Sequence, residues 1–242
     1  EEKNPDGYLE LSADSDSGIS GAGETSTDAQ ALQQQLKAQK ISFMQATPAT
    51  WQLLRHSDWK ASSPLNILCG GEPLPTELLG YLLENSAKLW NVYGPTETTI
   101  WSAACQIQEN QNSHPAIGQP LANTGIHILD EQHNIQPIGI LGELCITGVG
   151  LARGYLHRPD LTAEKFVTTD IFGQPKRIYK TGDLARWLPD GNLEYLGRLD
   201  HQVKIRGQRI ELGEIEATVR SHPQVREALV MVRSEGGEHA KL

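Results

Sequence analysis

The residue types best suited to chemistry gather in one stretch, Asn91-Val92-Tyr93-Gly94-Pro95-Thr96-Glu97-Thr98-Thr99-Ile100-Trp101. Gly94-Pro95 favours a tight turn. Tyr93, just before it, offers an aromatic face to a flat base. Thr96, Thr98 and Thr99 offer hydroxyl donors to phosphate oxygens. Glu97 is a hard oxygen ligand of the kind that holds Mg²⁺ beside a nucleotide. A hydroxyl-rich surface loop has the same composition, so this stretch alone does not decide between the two readings.

Three later stretches follow in order: Gly142-Glu143-Leu144-Cys145-Ile146-Thr147-Gly148-Val149-Gly150-Leu151-Ala152-Arg153-Gly154-Tyr155-Leu156, then Tyr179-Lys180-Thr181-Gly182-Asp183-Leu184, then residues 197–216 with Gly197-Arg198-Leu199-Asp200 and Arg209-Ile210-Glu211-Leu212-Gly213-Glu214. The ordered set of four resembles the adenylation domains of nonribosomal peptide synthetases. These belong to the adenylate-forming superfamily with acyl-CoA ligases and luciferases. The resemblance runs from about Asp28 to the C-terminus.

The resemblance implies attack of an amino-acid carboxylate on the α-phosphate of ATP. An aminoacyl adenylate and pyrophosphate form, and the acyl group passes to the phosphopantetheine thiol of a partner carrier domain. Glu97 would hold Mg²⁺ and Thr96 would contact phosphate, as the catalytic pair. Asn91 and Tyr93 would frame adenine, and Asp183 would bind the ribose. Tyr195 and Arg198 resemble positions close to the nucleotide. Asp200 matches a hinge about which a small C-terminal subdomain rotates. The substrate pocket corresponds to Gln45, Leu68, Gly70, Val92, Ile100 and Trp101; a one-residue slip would replace Gln45 by Ala46. Trp101, Ile100 and Leu68 would fill that pocket, a pattern resembling glycine-selecting domains, with another small amino acid next. Carrier-protein and condensation domains are the implied partners. An acyl-CoA ligase, or an inactive nucleotide-binding fragment, would share the nucleotide motifs.

On the residues alone, a turn Asp such as Asp183 can accept both hydroxyl protons of a ribose, because a carboxylate has two acceptor oxygens. A solvated turn Asp reads the same way. Arg153-Gly154-Tyr155 favours a packed turn over a substrate contact, since Gly beside an aromatic is common in turns. A Gly/Ser/Thr-rich phosphate loop ending in Lys does not occur in the sequence. In the resembling family that loop and the aspartate for the substrate amino group lie upstream of this region, and the catalytic lysine lies beyond Leu242. The expected fold class is therefore mixed α/β: the later part of the large adenylation subdomain, with a β-rich barrel-like portion, plus the start of the small one. On this reading the isolated chain is nearly inactive.

These residues need elements to position them. Asp28 is a plausible cap for a helix over 28–37, with Leu32 and Leu36 at i, i+4. A short strand (41–44), a helix after Pro48, a strand (65–69) and a helix (75–85) follow. The last carries the stripe Leu78, Leu79, Leu82 and Leu83, which reads as core packing. The strand 89–93 delivers Glu97. This alternation favours a partly parallel α/β layer. Strands over 126–130 and 142–147, a short capped helix over 159–166 and a hairpin at Asp190-Gly191 give a β-rich second half. A strand (202–206), a helix (211–220) and a strand (228–232) close the chain. Residues 1–27, rich in Asp, Glu, Ser and Gly, read as linker or tail. Either a fragment boundary or a domain inserted upstream explains their departure from the family. The expected domains are thus 1–27, 28–199 and 200–242.

A chain of 242 residues can bury a sizeable core. Its net charge of −9 argues against a duplex-binding surface. No apolar run is long enough to span a bilayer. The three widely spaced cysteines suit neither a disulfide framework nor a metal cluster, which favours a reducing cytoplasm.

Overall fold

The computed structural model describes residues 8–10, 28–108, 115–200, 202–205, 208–222, 224–235 and 238–241. The first layer is a six-stranded sheet in the order β1-β2-β3-β4-β5-β6. Its strands are β1 (Tyr8–Glu10), β2 (Phe43–Ala46), β3 (Leu65–Gly70), β4 (Ser86–Tyr93), β5 (Ala103–Ile107) and β6 (Gln119–Pro120). The pairs from β1 to β4 are parallel, and β5 and β6 run antiparallel. Helices α1 (Ala29–Ala38), α2 (Pro48–His56) and α3 (Thr76–Asn85) accompany the parallel strands. Asp28 caps α1 by accepting from the backbone N–H of Gln30 at 2.8 Å and of Ala31 at 3.3 Å. Thr47 caps α2, and Pro48 sits in its first turn, where a missing N–H costs nothing.

Alternation along β3 decides which face does what. Leu65, Ile67 and Cys69 point into a core shared with Trp51, Leu54, Leu78, Leu82 and Leu89. Asn66, Leu68 and Gly70 take the other face. The α3 stripe read from the sequence is buried at Leu78, Leu79 and Leu82.

The second layer is a five-stranded antiparallel sheet of β7 (Thr124–Leu129), β8 (Gly142–Gly148), β9 (Phe166–Ile171), β10 (Gln174–Trp187) and β11 (Leu193–Arg198). The strand β10 is long enough to change partners. Its first half pairs with β9, and its second half with β8 and β11. The path ends at β7 and β11, which do not pair with each other. The β-rich portion expected to be barrel-like is an open sheet, within the mixed α/β class expected. A second core of Ile126, Ile128, Leu144, Ile146, Ala185 and Leu193 takes in Tyr93 and Ala103 from the first sheet, so the end of β4 lies where the layers meet.

The helix α4 (Pro159–Lys165) precedes β9, without the side-chain cap expected of it. A hairpin of β12 (Val203–Ile205) and β13 (Gln208–Ile210), then α5 (Leu212–Arg220), follow Asp200. Two expectations are corrected. Tyr8–Glu10, inside the stretch read as a tail, is a strand that pairs with β2. Residues 228–232 are irregular, with Leu229 and Met231 exposed. The strand begins instead at β14 (Arg233–Glu235), where a partner, β15 (Glu238–Lys241), is available. Backbone pairing, not apolar content, decides that segment.

Leu78 has no exposed surface. Leu78→Ala is expected to destabilise the chain by about 2–5 kcal/mol, read from the midpoint of urea unfolding.

Candidate functional site

The strand β4 ends at Tyr93, and the chain turns so tightly that position 94 has no room for a side chain. A Cβ on Gly94 would lie 2.2 Å from the Ile100 carbonyl oxygen. A 3₁₀ turn over Thr96–Thr98 follows, and the Ser102 N–H donates to the Tyr93 carbonyl at 2.8 Å, closing the loop. Thr99 and Ile100 both hold positive φ, at 65° and 63°, a conformation such residues rarely adopt.

The loop aims Glu97 inward. Its residue is 7% exposed, yet the carboxylate is charged. Oε1 accepts from the Tyr155 hydroxyl at 2.6 Å and from Arg209 Nη1 at 2.6 Å. Oε2 is buried and has no protein partner, one of two such side-chain atoms among the described residues. Burial alone would raise the pKa of Glu97. The Tyr155 hydrogen bond and the Arg209 charge outweigh it and hold the group below the usual glutamate value. Burial, then the Glu97 bond, push the Tyr155 phenol up to about 12, so it remains a donor at neutral pH. Arg209 comes from β13, 112 residues away along the chain.

The three threonines separate. Thr98 is buried, with its hydroxyl 2.6 Å from that of Ser102 and 3.1 Å from the Pro95 carbonyl. Thr99 donates to the Gly150 carbonyl at 2.8 Å. Thr96 is exposed. The expectation of three phosphate donors is therefore reduced, because two of the hydroxyls hold the loop.

A second constellation surrounds Asp183, where Gly182 at φ +74° puts a register shift into β10. Tyr93 donates to Asp183 Oδ2 at 2.5 Å, and Arg198 Nη1 donates to Oδ1 at 2.8 Å. Arg198 also forks onto Asp200, at 2.6 Å from Nε and 2.7 Å from Nη2. Burial raises the pKa of Asp183 against the opposing effects of Tyr93 and Arg198. Burial draws the Lys204 ammonium on β12 below its usual value, with the charge of Asp183 opposing. The Tyr195 ring lies 6.4 Å from Tyr93, centroid to centroid. Thus Asp183, Tyr93, Tyr195, Arg198 and Asp200 are brought together. Tyr93 and Asn91, however, face inward. Asn91 is 3% exposed and donates its amide to the Ala116 carbonyl at 2.8 Å, so its polar group braces β4.

The third group lies on the other face of the first sheet. Parallel pairing sets Gln45 beside Leu68 and Gly70 beside Val92. The Trp101 ring packs over Gly70, where a Cβ would meet its Cη2 at 2.9 Å, and the indole N–H donates to Gln45 Oε1 at 3.2 Å. Ala46, one residue on, is buried in the opposite core, so on this strand it is Gln45 that shares a face with Leu68 and Gly70. Ile100 is 60% exposed and does not help Trp101 and Leu68 to fill this face, a correction that follows from its left-handed backbone.

Sequence reading missed two partners of Glu97. Tyr155 reads as a turn aromatic, and Arg209 is one cation among many; only their convergence on one oxygen marks them. Among the described residues no group of three or more His, Cys, Asp or Glu could hold a metal by itself. No described helix is long and apolar enough to cross a membrane.

Residues 17–156 match the family described as AMP-binding enzyme. The chain is 51% identical over 213 residues to the dimodular nonribosomal peptide synthase of Bacillus subtilis (strain 168), covering 88% of this chain and 9% of that protein. It is 44% identical to surfactin synthase subunit 1 of the same organism, over 88% of this chain and 6% of that one. The chain therefore spans about a tenth or less of the length of these relatives. Among solved structures it resembles a holo four-domain nonribosomal peptide synthetase bound to AMP and glycine, with a TM-score of 0.70, 46% identity and coverage of 91% of this chain and 17% of that one. It also resembles a nonribosomal peptide synthetase protein containing adenylation and PCP domains, with a TM-score of 0.76, 28% identity and coverage of 88% and 44%.

The Glu97–Arg209 pair predicts an acid-labile contact. Because the native pKa lies below the unfolded value of about 4.3, the stabilisation is present above that value and is lost as pH falls through the native pKa. Thermal melts of the wild type should fall more steeply from pH 5 to pH 3 than those of Glu97→Gln.

Proposed function

The chain belongs to the AMP-binding enzyme family, as part of an adenylation domain, and from that premise we propose that it serves ATP-dependent activation of glycine, or another small amino acid, for loading onto a carrier-protein thiol. The observation that carries this reading is the Glu97 carboxylate, buried and charged, with one oxygen held and the other unpartnered.

That orphaned oxygen fits a hard divalent cation, since an open carboxylate oxygen removed from water is what Mg²⁺ takes up beside substrate phosphates. Mg²⁺, when bound, would neutralise phosphate charge. A single protein carboxylate suffices where phosphates supply other ligands. Thr96 offers its exposed hydroxyl to a phosphate oxygen. Asp183 offers acceptor capacity to a ribose, with Tyr93 and Arg198 fixing its orientation. The amino-acid carboxylate then attacks the α-phosphate, the bond to pyrophosphate breaks, and an aminoacyl adenylate results. Catalysis of this kind is mostly positioning and charge neutralisation. The acyl group then passes to the phosphopantetheine thiol of a carrier domain, consistent with the adenylation–PCP architecture of the similar solved structure. Condensation domains are the further partners of such an assembly.

The preference for glycine rests on Trp101, held by Gln45 and packed on Gly70, which fills the space a larger side chain would need. The glycine found in one similar structure supports it. The Asp200–Arg198 fork sits where a hinge would have to release.

The deciding assay is amino-acid-dependent ATP–pyrophosphate exchange, on this chain and on a polypeptide extended at both ends. Glycine-dependent exchange is expected in the extended polypeptide, with little or none in this chain. Exchange in neither, with any amino acid, would remove the reading. In the extended polypeptide, Trp101→Gly should broaden exchange towards larger amino acids; unchanged selectivity would refute the filled pocket.

A further inference from the structure

Tyr155 lies on the loop after β8, which is fastened to Glu97 twice. The Ala152 N–H donates to the Glu97 carbonyl at 2.8 Å, and the Tyr155 hydroxyl donates to its carboxylate. The loop is itself braced. Arg177 donates to the carbonyls of Ala152 and Arg153, both at 2.8 Å, while its guanidinium lies 4.5 Å from the centroid of the Phe166 ring. The Tyr155 N–H donates to Thr162 Oγ1 at 2.9 Å, and its ring meets Phe166 edge-on with centroids 5.7 Å apart. On the far side, the Tyr179 hydroxyl is 3.3 Å away. The phenol therefore has one place to be.

We propose that Tyr155 is a positioning residue for the divalent cation: it pins Glu97 through Oε1 so that Oε2 faces the metal. This rests on the reading of Glu97 as the Mg²⁺ ligand. The end torsion of a glutamate is broad and roughly two-fold, so an untied carboxylate presents either oxygen or neither. Two groups tie Oε1, and they differ in charge. The Arg209 guanidinium is repelled when a dication arrives at the same carboxylate, whereas the neutral phenol is not. Tyr155 is thus the partner that can stay through metal binding. A packing role would need its ring alone; the hydroxyl at 2.6 Å from Oε1 serves the carboxylate. Hydrogen-bonded partners of metal ligands commonly matter in this way.

The test uses Mn²⁺ and ATP with the polypeptide extended at both ends, comparing the affinity of Mn·ATP with that of metal-free ATP; their ratio is the gain the metal confers. Tyr155→Phe, which keeps the ring, should reduce that gain about tenfold and leave metal-free ATP binding unchanged, a split that a merely loosened loop would not give. Glu97→Gln should abolish the gain. Loss in Glu97→Gln with a wild-type gain in Tyr155→Phe would overturn the role of Tyr155 and leave the metal reading standing. An equal gain in the wild type and Glu97→Gln, or none in the wild type, would overturn the metal reading and this inference with it. Should the phenylalanine variant lack a cooperative melt, Tyr155→Met, also without a donor, is read by the same criteria.

Discussion

A carboxylate taken out of water must be compensated, and the site follows from that constraint at Glu97. Burial works against its charge, so the structure supplies a phenol and a guanidinium on one oxygen. Each donor comes from a different part of the chain, and each has its own support. Tyr155 needs the loop held by Arg177 and Thr162. Arg209 needs the hairpin beyond Asp200 to reach the core. The loop after β4 needs Gly94 and the left-handed Thr99 and Ile100 to aim the side chain at all. Three separate elements are thus correlated through one oxygen atom.

The same logic governs Asp183. It is buried next to a guanidinium and a phenol, and the guanidinium also grips Asp200. Arg198 is therefore shared between Asp183, a nucleotide-site candidate, and Asp200. Three ion pairs, Glu97–Arg209, Arg198–Asp183 and Arg198–Asp200, hold these groups, and the first ties a residue before position 200 to one after it. Their strength depends on burial, which differs between them: the Asp183 side chain is 8% exposed, and that of Asp200 is 40%. The inner contact is the durable one, and the outer is the easier to break.

Much of the fold was legible in local pattern. The Leu stripe of α3, the cap at Asp28, the proline opening α2 and the Asp190-Gly191 hairpin all express themselves within a few residues, and each is where it was expected. Local signals failed where pairing decides. The apolar run 228–232 has the composition of a strand but no strand partner among the described residues, while Tyr8–Glu10 lies in a tail-like context and still pairs.

The sequence by itself determined which family the chain resembles, through its ordered motifs, one acid in a hydroxyl-rich turn and an aspartate after a glycine. It also set the alternation that puts Gln45, Leu68 and Gly70 on one face, because the pleat has a period of two. Only the tertiary structure decided which of those groups are available. It committed Thr98, Thr99 and Asn91 to holding the fold, turned Ile100 outward, and chose Gln45 over Ala46 as the partner of Trp101. It also brought Tyr155 and Arg209, 58 and 112 residues from Glu97, onto the same oxygen. Contacts across such separations are made by the packing of layers, and no local propensity encodes them.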